Sequence, residues 1–307
     1  MIQIENVTKY FGELKAVDSL NLHIREGEIF GFIGPNGAGK TTTLRMLATL
    51  LRPSSGSIRV AGLNPETEPA EVRRIIGYMP DQFGVYPDLA VWEYLDFFGA
   101  AYRIPPDQRP RLIDDVLELT DLTGKKYDLV EALSRGMKQR LCLAKTLLHD
   151  PALLLLDEPA SGLDPRARIE IRELLKELKK MNKTILISSH ILAELSDFCT
   201  SIGIIERGQL VVAGSITDIE ARMNKAKLYR ITALAPLQNI QAFLNQNGFE
   251  QIHITSAYLE FACNKTDEEI AGILQTLVQQ NFQITSFQPV SANLEDLFMK
   301  ITRGEVA

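Results

Sequence analysis

Apolar and polar residues alternate through residues 2–30: Ile2, Ile4 and Val7 punctuate a polar run, and Leu20, Leu22 and Ile24 repeat the spacing. A period of two predicts short antiparallel strands with one buried face. Residues 29–33 form a compact apolar strand, which passes through 34–39 into a helical pattern over 42–51 closed by Arg52-Pro53. From about 87 to 150 the period is mostly helical, interrupted by a loop at Ile104-Pro105-Pro106. A buried strand over 153–156 follows, then a charged helix over 166–180, a strand at 184–188 and a helix after His190. Apolar strands alternating with helices predict an α/β fold, a parallel sheet covered by helices on its faces.

The composition shifts near residue 220, and the basic stretch 222–227 reads as a linker or domain edge. Beyond it the pattern predicts a strand over 228–234, a helix over 238–247, strands over 249–255 and 257–263, a helix over 267–280, a strand over 282–290 and a last helix over 293–302. That order, βαβ followed by βαβ, is the order of a small ferredoxin-like α+β domain. The expected division is a large domain over 1–220, with a helical subdomain at about 87–150, and an accessory domain over 221–307. The accessory domain carries no catalytic constellation and reads as a docking or dimerisation module. A length of 307 residues suits one large and one small domain.

Composition narrows the partners. Thirty-three basic against thirty-nine acidic residues give a net charge of −6 without a polybasic run, which counts against nucleic acid as the main partner. Cys142, Cys199 and Cys263 lie far apart and outside metal-ligand spacing, as structural thiols of a reducing compartment do. No stretch approaches the ~18–20 apolar residues that span a bilayer, and the N-terminus does not read as a signal peptide. The expected location is the cytoplasm, with any membrane association made through a partner.

The chemistry begins at Gly34-Pro35-Asn36-Gly37-Ala38-Gly39-Lys40-Thr41, which fits G-x-x-x-x-G-K-[ST] between a strand and a helix. Glycines at 34, 37 and 39 let backbone N–H groups turn inward around phosphate oxygens. The following helix directs its positive end at the same anion. Lys40 reaches the β- and γ-phosphates, and the Thr41 hydroxyl ligates Mg²⁺. The apolar strand over 153–156 ends in Asp157 and Glu158. Asp157 is expected to hold the magnesium through water, and Glu158 to orient or deprotonate the attacking water. A magnesium-dependent ATP site is the result.

Leu133-Ser134-Arg135-Gly136-Met137-Lys138-Gln139-Arg140-Leu141 is a helix start, with Ser134 as N-cap and Gly136 in the first turn. Its order, between the glycine loop and the acidic strand, resembles the LSGGQ signature and basic helix of ATP-binding-cassette proteins. Over roughly residues 2–220 the chain resembles an ATP-binding subunit of an ABC transporter, in the branch that drives ABC-2-type exporters. The resemblance implies a P-loop NTPase (RecA-like) core with an N-terminal antiparallel β subdomain and a helical subdomain. It implies that Phe11, with Tyr10 as the neighbouring candidate, stacks on adenine, and that the nucleotide site runs from Gly34 to Thr42. Ser161-Gly162-Leu163-Asp164 resembles the D-loop, which connects two ATP sites, and His190 resembles the switch histidine that contacts the γ-phosphate. Ser134 and Gly136 of a second protomer would complete each site in a head-to-tail dimer.

Two departures stand out. The family's Q-loop reads close to GYxPQ, whereas this chain has Gly77-Tyr78-Met79-Pro80-Asp81-Gln82, so either Asp81 or Gln82 faces the magnesium and the water. Arg135 replaces one of the signature glycines and would add positive charge near the partner's phosphates. The implied partners are ATP, an integral-membrane permease and a homodimeric or heterodimeric ATP-binding subunit, at the cytoplasmic face of the membrane. A soluble ABC-type ATPase acting on ribosomes or nucleic acid is the alternative, and a non-catalytic nucleotide sensor a third.

Overall fold

Ile2, Ile4, Leu22 and Ile24 are buried because β1 (Ile2–Phe11) and β2 (Leu14–Ile24) pair antiparallel, with Ile2 against Ile24 and Ile4 against Leu22. The computed structural model describes residues 1–82, 84–195, 197–223, 227–249, 252–263 and 265–290. β3 (Ile29–Ile33) is buried at every position and leads to α1 (Lys40–Leu47). That helix starts at Lys40 rather than 42 and ends early, at Leu47, because Thr49 turns the chain with a left-handed φ of 63°. β4 (Ser55–Val60), absent from the sequence reading, joins the free side of β1 and gives a sheet ordered β2-β1-β4. α2 (Pro69–Ile75) then runs directly into β5 (Ile76–Met79).

The helical stretch resolves into α3 (Val91–Ala101), α4 (Arg109–Leu119) and α5 (Arg135–Leu147). β6 (Leu153–Asp157), α6 (Pro165–Lys180), β7 (Thr184–Ser189), β8 (Ser201–Glu206) and β9 (Gln209–Ser215) follow. The main sheet has the order β5-β6-β7-β3-β8-β9 and is parallel except for the β8–β9 pair. Asp157 at the end of β6 faces Ser188 of β7, and Ile33 at the end of β3 faces Ser189. Three carboxyl ends thus meet at one edge, where open α/β sheets place their ligands. The helix expected after His190 is instead a single 3-10 turn over Leu192–Glu194. Ser189 explains the difference: its hydroxyl accepts from the Ile191 N–H and donates to the Glu194 carboxylate, bonds that compete with helix formation.

The chain divides into two compact units, Met1–Ile216 and Thr217–Ala307. α7 (Ile216–Met223) lies at the division, so the expected linker at 222–227 is taken up by its end and by the start of β10 (Lys227–Ala233), with 224–226 outside the described residues. The second unit continues with α8 (Leu237–Gln246), β11 (His253–Ile254), β12 (Leu259–Cys263), α9 (Asp267–Gln279) and β13 (Ile284–Val290). Its sheet is ordered β11-β12-β10-β13 with antiparallel neighbours, the ferredoxin-like arrangement. β11 has two residues where a strand over 249–255 was expected. The helix expected over 293–302 lies outside the described residues. Tyr229, Ile231, Leu259 and Phe261 from the sheet pack with Ile240 and Leu244 of α8 and Leu277 of α9 in a core of their own.

Candidate functional site

The loop between β3 and α1 is shaped by backbone that only glycine accommodates. Gly39 has a φ of +106°, and a Cβ there would stand 2.5 Å from the Ala16 carbonyl; Gly37, at the exposed tip beside Asn36, has a φ of +80°. Gly39 caps α1 without a side chain, so the first-turn N–H groups stay available and the helix dipole adds its positive end. Together they form an anion site. Lys40 is only 5% exposed. Its Nζ donates to the carbonyls of Gly34 (2.6 Å) and Pro35 (3.2 Å) and lies 3.2 Å from Glu158 Oε1.

Asp157 is 1% exposed. Its Oδ1 accepts from Thr41 Oγ1 at 3.1 Å and from Ser188 Oγ at 2.7 Å, while its buried Oδ2 has no hydrogen-bond partner. Burial pushes this carboxyl above its ordinary range; the Ser188 and Thr41 hydroxyls oppose the shift, and the charges of Asp81 and Glu158 add to it. The same Ser188 oxygen accepts from the Glu158 N–H at 3.0 Å, and Glu158 holds a left-handed φ of 50°. Its carboxylate lies between two basic groups, Lys40 through Oε1 and His190 Nδ1 at 2.7 Å through Oε2. Lys40, Thr41, Asp157, Glu158 and His190, drawn from three separate stretches of chain, therefore form one bonded cluster.

The Thr41 hydroxyl and the Asp157 carboxylate, with its unpartnered Oδ2, are hard oxygen donors. Mg²⁺ takes such donors together with phosphate oxygens and water, so the residues fit that ion. Among the described residues no group of three or more His, Cys, Asp or Glu forms a metal site by itself, and an ion shared with phosphates needs none.

Other expected residues lie apart from this cluster. Phe11 and Tyr10, 48% and 44% exposed, stand at the end of the β1–β2 hairpin. Lys9 lies over the Phe11 ring and Lys15 over the Tyr10 ring, and the hairpin abuts the glycine loop through Ala16 against Gly39. Thr42 is half-buried on α1, and Asp81 and Gln82 are exposed after β5; Asp81 reaches Asp157 through its charge. Ser134 caps α5, its Oγ accepting from the Met137 N–H at 3.3 Å, and Asp164 caps α6 by accepting from the Ala167 N–H at 2.9 Å. Gly136 packs against Ala167. Among the described residues, Ser134, Gly136 and Asp164 make no bond to the Lys40–Glu158 cluster.

The sequence did not predict three of the contacts around these acids and the loop that leaves them. Ser188 links Asp157 to Glu158, and its signal was a polar residue ending an apolar strand. Arg135 Nη2 donates to the Ser161 carbonyl at 3.3 Å, and the buried Gln139 Nε2 to the Pro159 carbonyl at 2.5 Å; only the fold brings these pairs together.

Residues 17–161 match the family described as ABC transporter, and residues 214–302 the one described as ATP-binding protein DrrA1-3-like, C-terminal domain. The chain is 32% identical to the linearmycin resistance ATP-binding protein LnrL of Bacillus subtilis, covering 98% of each protein. It is 35% identical to the bacitracin transport ATP-binding protein BcrA of Bacillus licheniformis, covering 99% of this chain and 98% of that one. With the Nod factor export ATP-binding protein I of Cupriavidus metallidurans it shares 34% identity over 100% of this chain and 98% of the relative. Among solved structures, an ATP binding subunit of an ABC transporter superposes with a TM-score of 0.66 at 27% identity, covering 80% of this chain and 99% of that one. A dimeric ATP-binding cassette in a post-hydrolysis state, bound to ADP and phosphate, superposes with a TM-score of 0.64 at 27% identity, covering 70% and 99%.

Proposed function

The chain belongs to the ATP-binding subunits of ABC transporters, and on that premise we propose that it powers an exporter by hydrolysing ATP between two ATP-binding subunits at the cytoplasmic face of a membrane. Its first unit is a P-loop NTPase core and its activity is that of an ATPase. One observation carries the residue-level reading: Glu158 is held between Lys40 and His190 while Thr41 and Ser188 hold the neighbouring Asp157.

Phosphoryl transfer to water depends on positioning and electrostatic stabilisation more than on covalent chemistry. The N–H groups of the loop from Gly34 to Thr42 cradle the phosphates, and Lys40 turns its ammonium onto the β- and γ-oxygens. Thr41 and Asp157 would hold Mg²⁺, and Asp81 or Gln82 would be the further residue on that side of the site. When bound, the ion would supply positive charge against the negative charge that develops on the phosphates. Glu158 orients the attacking water and accepts its proton, and His190, hydrogen-bonded to that carboxylate, stabilises the γ-phosphate. Phe11 offers its exposed face to adenine.

Such a half-site is completed by a second subunit, a copy of this chain or a relative. Ser134 Oγ uses a lone pair to cap α5 and keeps its O–H for donation to the opposing γ-phosphate, beside the N–H of Gly136. Asp164 and its loop connect the two sites. The names of relatives concerned with linearmycin resistance, bacitracin transport and Nod factor export support export as the direction. An integral-membrane permease supplies the path, and the second unit serves as an accessory docking or dimerisation domain. Glu158→Gln is expected to lower magnesium-dependent hydrolysis at least about a hundredfold while ATP still binds and holds the paired subunits together. Near-normal hydrolysis in that variant would overturn the role of Glu158.

A further inference from the structure

Two features mark the place where the signature helix meets the segment over 161–164. Arg135 puts a cation in the first turn of α5, where the helix dipole disfavours positive charge. Gly162 holds a left-handed φ of +67°, and any Cβ there would collide with the Arg135 guanidinium. A single contact joins them: Arg135 Nη2 donates to the Ser161 carbonyl at 3.3 Å, with the guanidinium packed against Gly162. Four residues on, along the same face of α5, the buried Gln139 donates to the Pro159 carbonyl at 2.5 Å. Gly136, between them, lets the start of α6 approach, since a Cβ there would stand 3.1 Å from that of Ala167. The helix therefore grips two carbonyls of the segment that leaves Glu158.

We propose that Arg135 is a positioning residue that ties the loop over 159–162 to the signature helix. Ser134 and the D-loop then present to a second subunit as one piece, whose placement is linked to Glu158 of the same chain. The inference rests on the two-subunit reading above. The guanidinium acts through the loop and not on the opposing phosphates. A direct phosphate contact would show in ATP affinity, whereas misplacement of the loop shows in turnover.

The test compares the full-length chain with Arg135→Ala, Gly162→Ala and the double variant, using hydrolysis against ATP concentration and amide exchange across 159–164. Arg135→Ala is expected to lower kcat about tenfold with KM unchanged within about twofold. Gly162→Ala should lower kcat at least as far, since a Cβ at its left-handed φ adds backbone strain to the lost contact, and the double variant should fall within about twofold of Gly162→Ala, because both substitutions break one contact. Arg135→Lys, which lacks the planar fork, should recover little of the loss. Exchange across 159–164 should quicken in each variant, a readout independent of turnover. Unchanged exchange and kcat in Arg135→Ala would overturn the proposal, as would a rise in KM at constant kcat or two losses that multiply. Glu158→Gln run alongside separates the two readings. Normal hydrolysis there refutes the hydrolytic scheme, whereas its loss beside an unaltered Arg135→Ala refutes only the positioning role.

Discussion

At the scale of single residues, the site is organised around two adjacent acids that receive opposite treatment. Asp157 is buried, bonded to neutral hydroxyls and left with one oxygen unpartnered, which suits a group that hands charge to a cation. Glu158 is bonded to Lys40 and His190, which suits a group that handles a proton. Lys40→Ala removes the donor shared by the Gly34 and Pro35 carbonyls and by Glu158. ATP affinity, measured with a fluorescent analogue, is expected to fall at least about tenfold, as for the loss of a charge-assisted bond; unchanged affinity would show that Lys40 does not meet the phosphates. Lys40, Thr41, Asp157 and Glu158 were legible because their spacing to a glycine loop and an apolar strand is local. The partnership of Ser188 with both acids was not, since it depends on β6 and β7 lying side by side.

At the scale of elements, continuous apolar runs such as 29–33 and 153–156 were legible as strands, whereas β4, β5, β8 and β9 were not. β5 has four residues and contains Gly77, a residue that reads as punctuation in a strand. Its reason is packing: a Cβ there would stand 2.7 Å from Thr146 on α5 and 2.9 Å from Leu154 on β6. The same junction holds His149, just past α5, whose Nε2 lies 2.8 Å from the Ile76 carbonyl and whose ring stacks on Tyr102 at 4.0 Å. Burial pushes this imidazole below its ordinary value of 6.5, against the bond to Ile76 and the charge of Asp150, while Lys183 adds to the lowering. As pH falls through that value, the unfolded chain takes up a proton that the folded chain refuses, so folded stability drops. The unfolding midpoint is therefore expected to decline more steeply from about pH 7.5 to 5.5 in the wild type than in His149→Gln. Parallel curves would show that the ring's burial costs nothing on protonation.

At the scale of the whole molecule, the two units have separate apolar cores. The order of the second unit was legible because the helical patterns over 238–247 and 267–280 stand between its apolar strands. The junction was not, because the basic residues that read as a linker overlap the end of α7. Among the described residues no helix is long and apolar enough to cross a membrane, and the proposal assigns the crossing to a second polypeptide. That assignment separates a transporter subunit from an ATPase that works on ribosomes or nucleic acid. The most direct measurement is to tag this chain, solubilise membranes gently, and determine both the composition and the magnesium-dependent ATPase activity of the complex it forms. The account predicts an integral-membrane polypeptide held with paired ATP-binding subunits, in a complex whose hydrolysis disappears with Glu158→Gln. Recovery of the chain with ribosomes or nucleic acid, and with no membrane polypeptide, would contradict it.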